Sequence, residues 1–515
     1  MFQDRRRIAL VLLVVVLAGV SFVIVTSIPS VQPSDDNTTN SEPTNPLIDD
    51  GSNSKLNAQI TQQEDAPYNH QYITLSGQQS RAFGDAEITQ YNWTLNSEDH
   101  FGAEKTRVTG EGNVTVTLTV RDEDNGYEDT ETSTIQFQNQ SLSQAPDCSN
   151  HYHETTGEYS VIYGKTGDLI VEDVHDLQCI GDNPSEDYQV TSDINAGVTQ
   201  AWEDEFRTIQ PEFDGSLNGH NHVITGLTID SQNRSSQSRK SQKYITEDRP
   251  VEYVLGTGLF EKTNPDAQVQ NLTIEEASIR GYSSSGILIA DNEGTVANVS
   301  VSGTVTSAYG DSHFESGRLG GLIGRNVGRI EDSEAHVKVE DDGGGGHGGL
   351  VGSNENDGVI VRSFATGNIT GGSSVGGLVG SAPNTGGSIN NSYATGSVEV
   401  VGASNRPETR AGGLIGTNYH EIRNSYATGR VDADADNRGG IAGENYQDTG
   451  TAENVYWNVE STGVESSGFV FVDDEQAGLT TEEMTGESAR QNMNGFDFNN
   501  MWQTVSEDYP QLRQP

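Results

Sequence analysis

The sequence predicts an all-β chain: a parallel, right-handed β-solenoid, preceded by a small β-sandwich and an N-terminal membrane-spanning helix. Three observations carry this prediction. A glycine-bracketed apolar motif returns with a period near 28 residues through the second half of the chain. A stretch of two-residue alternation precedes it. One uncharged apolar run, residues 8–28, follows three arginines, and nothing else in the 515 residues approaches it.

Composition narrows the function classes. The formal charge is 29 − 76 = −47, spread along the whole chain, and lysine is scarce. Binding DNA or RNA needs clustered lysine and arginine, so nucleic acid is excluded as a partner. Two cysteines rule out a disulfide-scaffold fold. Even acidity with little lysine is the balance expected of an extracellular protein in molar salt. There the Debye length falls to about 3 Å and self-repulsion becomes tolerable. That composition resembles halophilic archaeal proteins.

Residues 1–30 read as a basic cytoplasmic cap and an anchor. Arg5, Arg6 and Arg7 stay inside, and the 21 uncharged residues that follow are enough to span a bilayer. No Ala-x-Ala cleavage site follows, so a single-pass anchor is expected, with the bulk of the chain extracellular; cleavage would make it secreted. Residues 31–66, with Pro33, Pro43 and Pro46 among Asn, Ser, Thr and Asp, read as a disordered polar stalk.

Residues 67–140 read as the sandwich. Val114, Val116, Leu118 and Val120 alternate with threonines, and Asn125-Gly126 signals a hairpin. Thr74-Leu75-Ser76-Gly77, the stretch from Ile88 to Trp93, and Val116 to Asp122 resemble a PKD domain, an immunoglobulin-like module of surface proteins. The family's usual acidic loop after the tryptophan is absent here, where Thr94-Leu95-Asn96 stands.

The repeats occupy residues 258–460, with 141–257 as an N-terminal cap and 461–515 as a C-terminal cap. One motif reads Gly320-Gly321-Leu322-Ile323-Gly324 and recurs from Gly348, Gly376 and Gly412, with a variant from Gly439 and weaker copies at Gly258 and Gly286. A second reads Ser363-Phe364-Ala365-Thr366-Gly367 and recurs from Ser392 and Ser425. Stacked coils suit both, because like residues recur every 4.8 Å or so and Gly permits close approach. Tyr393 and Tyr426 are expected to stack as an aromatic ladder. Thr480 and Glu483 form a capping box for one short helix, and Phe496, Phe498, Trp502 and Tyr509 are placed to cover the final coil. These motifs resemble the GLUG motif, which implies a surface protein.

No catalytic, cofactor-binding or metal-binding residue is assigned. His153-Glu154 begins a zinc-peptidase pattern, but Gly157 stands where the second histidine belongs. His220 with His222, Asp122 with Asp124, and the Asp432, Asp434, Asp436 series lack metal-site spacing; calcium is the one ion such acids would take. Asp193 and Asp214 are one arbitrary choice of a glycosidase pair. Cys148 and Cys179, the only cysteines, are expected to form a disulfide outside the cell. Glycosylation sequons stand at Asn37, Asn92, Asn113, Asn139, Asn233, Asn271, Asn298, Asn368 and Asn390. The expected function is adhesion or cell-envelope organisation without catalysis, with cell-surface glycans or proteins as partners. The alternatives are a polysaccharide lyase or hydrolase on a parallel β-helix, or a carbohydrate-binding module.

Overall fold

A computed structural model describes residues 55–62, 73–95, 113–137, 169–231, 256–308, 317–401, 409–433, 438–445, 450–469 and 474–513, less two positions at 203–204, with short pieces between. Met1–Asn53 and Ser54–Pro515 are separate units. The helix expected across residues 8–28 is not seen. Most of that run lies outside the described residues, and the part described, Val14–Leu17 and Val20–Val23, pairs as antiparallel strands. Branching at Cβ restricts valine in a helix and suits it to a strand. Among the described residues no helix is long and apolar enough to cross a membrane.

The alternating segment forms antiparallel strands. Tyr127–Gln136, Asn113–Asp122, Gln90–Leu95 and Glu98–Gly102 make one four-stranded sheet, and Ser160–Val161, Lys105–Val108, Ile73–Ser76 and Thr61–Gln62 make another. Leu75, Trp93, Val116, Leu118 and Val120 fill a core that reaches back to Leu56 and Ala58, inside the segment read as stalk. The hairpin turns at Gly126, with φ +72°. Asp122 takes the backbone and side-chain amides of Asn125 at 3.1 and 3.0 Å and the Glu87 amide at 3.0 Å, so it caps the turn.

From Leu169 onward the chain winds into a parallel β-solenoid of three sheets, with 20, 7 and 5 strands. Coils begin well before residue 258: Leu169–Val171, Asp187–Val190 and Ser216–Asn218 already stack in register with Gln268–Gly281. One continuous hydrophobic core, mostly aliphatic with aromatic rings toward its ends, runs from Leu169 to Ala477. Cys148 and Cys179, their Cα atoms 5.2 Å apart, are disulfide-bonded at the first coil, where Cys179 ends the helix Val174–Cys179.

Both sequence motifs acquire a physical reason. The weak and strong glycine motifs stack as one series: the Leu322 amide donates to Leu350, Leu350 to Leu378, Leu378 to Leu414 and Leu414 to Ile441, and in the weaker copies Phe260 donates to Leu288 and Leu288 to Leu322. A Cβ on Gly349 would lie 2.3 Å from the Gly377 carbonyl oxygen and 2.7 Å from the Ala365 side chain. The second glycine of one motif therefore faces the alanine of the other across the core. In the second motif the serine is buried. Ser363 Oγ donates to Val361 O at 2.9 Å, while it accepts from the Ser333 amide at 3.2 Å, and Ser392 and Ser425 repeat the pattern.

Beyond Trp457, residues 459–469 and 474–479 bring Val464, Phe469 and Ala477 onto the end of the core. The last part does not simply cap the final coil. Helices Thr481–Met484 and Gly486–Asn492 and the hairpin of Trp502–Val505 with Asp508–Leu512 cover the flank of the large sheet. The capping box of Thr480 and Glu483 is formed in both directions.

Candidate functional site: a cleft where the cap ends

Two ladders on the large sheet build the site. The outward-facing series Val223, Thr273, Ser300, Glu334, Phe364, Tyr393, Tyr426 and Tyr456 stands in register on successive strands. Phe364 stacks on Tyr393 at 4.6 Å, and Tyr393 on Tyr426 at 4.9 Å, with rings within 4° of parallel. The cap buries Tyr393, Tyr426 and Tyr456 beneath Phe496 and Trp502. Its final strand ends over Phe364, where Leu512 and Arg513 form a wall. Beyond that wall the ladder turns polar, through Glu334, Ser300 and Thr273.

The second ladder lies two residues earlier in each coil, at a corner of left-handed backbone. It comprises Asn221, Asn271, Asn298, Asp332, Arg362, Asn391, Asn424 and Asn454, with φ between +47° and +63°. Asparagine suits this conformation because its short amide bonds locally. Asn298 donates to Asn271 at 2.9 Å, and Asn454 to Asn424 at 2.9 Å. The series breaks where the cap stops. There Asp332 and Arg362 replace the amides, and the guanidinium takes both carboxylate oxygens, one at 2.6 Å. A left-handed arginine is uncommon, and such strain concentrates at functional positions.

The resulting cleft has a volume of about 230 Å³ and is open to solvent. Ser300 donates to Glu334 at 2.8 Å, and His336 lies 3.5 Å away. His336 and Ser300 hold the Glu334 carboxyl below its ordinary value against the upward push of burial. Glu334 is thus an acceptor. Asp332 has both oxygens engaged. A glycosidase pair needs one carboxyl that carries a proton; Glu334 is held in the ionised form, and Arg362 occupies both oxygens of Asp332. The cleft can accept hydrogen bonds at Glu334, donate them from amides and guanidinium groups, and offer the half-buried ring of Phe364.

Other residues singled out in the sequence lie elsewhere. Asp193 accepts from the Val223 amide at 3.0 Å and from His222 at 3.1 Å, which organises a turn. His220 is a left-handed turn residue, and Asp214 is exposed two residues before the strand Ser216–Asn218. Asp432 pairs with Arg430 at 2.7 Å; Asp434, Asp436, His153 and Glu154 lie outside the described residues. Among the described residues no group of three His, Cys, Asp or Glu is arranged to hold a metal. Of the sequons, Asn113, Asn298 and Asn368 are exposed, Asn271 and Asn390 are half-buried, and Asn92 is buried beside Trp93. Asn37, Asn139 and Asn233 lie outside the described residues.

Comparison with known proteins gives matches of three kinds. The family model described as the GLUG motif matches residues 408–432. Halomucin of Haloquadratum walsbyi is 29% identical over 375 residues, 70% of this chain and 3% of that protein. A putative Gly-rich membrane protein of Evansella cellulosilytica is 34% identical over 129 residues, 24% of this chain and 13% of that one. The chain therefore spans a small fraction of either relative. Two solved structures share a limited likeness at a TM-score of 0.42. One is a putative immunoglobulin A1 protease from Bacteroides ovatus, 16% identical, covering 67% of this chain and 92% of that one. The other is an IgA1 protease, 18% identical, covering 72% of this chain and 29% of that one. The chain is a parallel β-solenoid that carries the GLUG motif and shares sequence with halomucin.

Proposed function

We propose that this is a cell-surface protein that works by binding, in adhesion or envelope organisation, and catalyses nothing. The observation that carries the reading is the state of the cleft's two carboxylates. Asp332 is clamped by Arg362 and Glu334 is kept ionised, so the two carboxylates serve the cleft as a fixed ion pair and a hydrogen-bond acceptor. Its volume of about 230 Å³ is below the roughly 300 Å³ at which ligand pockets usually begin, which suits one protruding group of a larger partner. The names of halomucin and of the Gly-rich membrane protein support a surface location. We further propose that residues 8–28 anchor the chain, that the antiparallel module is a divergent PKD-like domain, and that the acidic surface is an adaptation to high salt.

The test is protease shaving of intact cells, with the full chain recovered from the membrane fraction. Solenoid peptides should be released from outside. Purified full chain should bind isolated envelopes, and Phe364→Ala together with Arg362→Ala should weaken that binding. Solenoid peptides protected in intact cells would contradict the location; undiminished binding by the double variant would contradict the cleft.

A further inference from the structure

A second concavity lies on different sheets from the cleft. It runs along the corner between the strands Gly317–Gly320, Gly345–Gly348, Ser374–Gly376 and Arg410–Gly412 and the facing strands Val351–Asn354, Val379–Ala382 and Ile415–Asn418. Its volume is about 560 Å³, within the range of small-molecule sites. Register explains its shape. Arg318, Gly346, Ser374 and Arg410 stand on successive strands, so the two arginines lie three strand spacings apart, about 14 Å. Between them Gly346 has no side chain, and a Cβ there would come within 2.6 Å of Ser381 Oγ. The opposite side carries the series Asp291, Arg325, Ser353, Ser381, Thr417 and Glu444. The floor is therefore hydroxyls and the ends are charged.

Those charges cancel locally. Glu355 binds Arg318 at 3.0 Å and Arg325 at 2.8 Å, and Arg325 binds Asp291 at 2.7 Å. Arg410 is paired with Glu444. Burial pushes the Glu355 carboxyl up, yet the two arginines hold it below its ordinary value, so it is ionised. On a molecule of charge −47 the trough is a neutral stretch that alternates donors and acceptors. The glycine turn forming one wall is fixed from the core: His347 Nε2 meets Asp341 Oδ2 at 2.8 Å, both side chains are buried, and Asp341 accepts the Gly343 amide at 2.9 Å. A wall braced in this way is pre-organised, which lowers the cost of binding.

We infer that this trough is a binding site for a neutral saccharide of two or three sugar units. Ser353, Ser374 and Ser381 give their protons to Glu355, Gly380 O and Ser353, so the floor presents hydroxyl lone pairs as acceptors while the guanidinium groups at the ends donate, a pairing that serves the vicinal hydroxyls of a sugar. An acidic sugar would leave a charge facing arginines already paired, on a surface that repels it. Surface location is not needed for this inference, so it stands or falls apart from the proposed function.

The test is saturation-transfer NMR and calorimetric titration of the full chain in a zwitterionic, sugar-free detergent at about 3 M NaCl. The probes are maltotriose, cellotriose, mannotriose and a triuronate. At least one neutral trisaccharide should bind, and Ser381→Phe, which fills the floor, should weaken it by about tenfold or more. Arg318→Gln, at the exposed rim, should weaken it too, and it keeps the test decisive where the phenylalanine is not tolerated. No neutral trisaccharide binding at about 10 mM, tighter binding of the triuronate, or affinity unchanged in both variants would overturn the inference.

Discussion

Ala382 occupies the one coil position where a buried amide ladder should continue. Thr263, Asn292, Asn326 and Asn354 pass hydrogen bonds of 2.7 Å from coil to coil, and Asn418 resumes the series to Asn445 at 2.8 Å. Ala382 pairs with Asn418 and offers no amide. His420 fills the gap from the next coil: its Nδ1 accepts from Asn354 at 3.1 Å, and Gly387 leaves it room. Burial lowers the His420 pKa from 6.5 to about 4. The unfolded chain therefore takes up the proton first. Its contribution is complete above about pH 6.5 and is lost as pH falls toward 4, by about 3 kcal/mol. Urea melts from pH 7 to pH 4 should show this loss, and His420→Gln should flatten the slope. An unchanged slope would remove the assignment. The signal was present in the sequence, as an alanine where neighbouring repeats have asparagine. Its consequence was not, because the compensating histidine sits 38 positions later and reaches back only in three dimensions.

At the scale of the element, the repeats were readable because stacking imposes one residue type at one spacing. The glycine motif, the buried serine and the tyrosine ladder all follow from that. The cleft was not readable. Its position depends on where the cap stops covering the ladder, and nothing local to Phe364 or Glu334 encodes the reach of Leu512. The one clue was the exchange of Asn for Asp332 and Arg362 two residues before the outward position. The cap should depend on its central ring. Tyr426 is buried, packs 5.8 Å from Trp502 and donates to Pro510 O at 2.6 Å. Tyr426→Ala should cost about 3–5 kcal/mol and release the segment after residue 480 to proteolysis, whereas Tyr426→Phe should cost about 1 kcal/mol. Equal effects would contradict the stacking account. At the other end, replacing Cys148 and Cys179 by serine should cost about 3–4 kcal/mol in chemical denaturation, from the chain-entropy gain of the unfolded state. A loss under about 1 kcal/mol would mean that the first coil holds without the link.

For the whole molecule, charge sets the conditions under which the fold holds. A charge of −47 opposes compaction wherever it is unscreened. The thermal midpoint should rise steadily from about 0.1 M to about 3 M NaCl as the Debye length shrinks, and a flat response would contradict the high-salt reading. The all-β solenoid class was legible from repeats alone, but the start of the coils was not: strands from Leu169 to Asn218 lack the glycine motif and join by register. A protein that binds without chemistry releases no product from the polysaccharides it meets. The full chain is incubated at high salt with neutral and uronate-bearing polysaccharides, and new reducing ends and unsaturated uronates are followed. No release above a heat-denatured control is expected. Sustained release, abolished by Glu334→Gln, would contradict the account and make the cleft an active site.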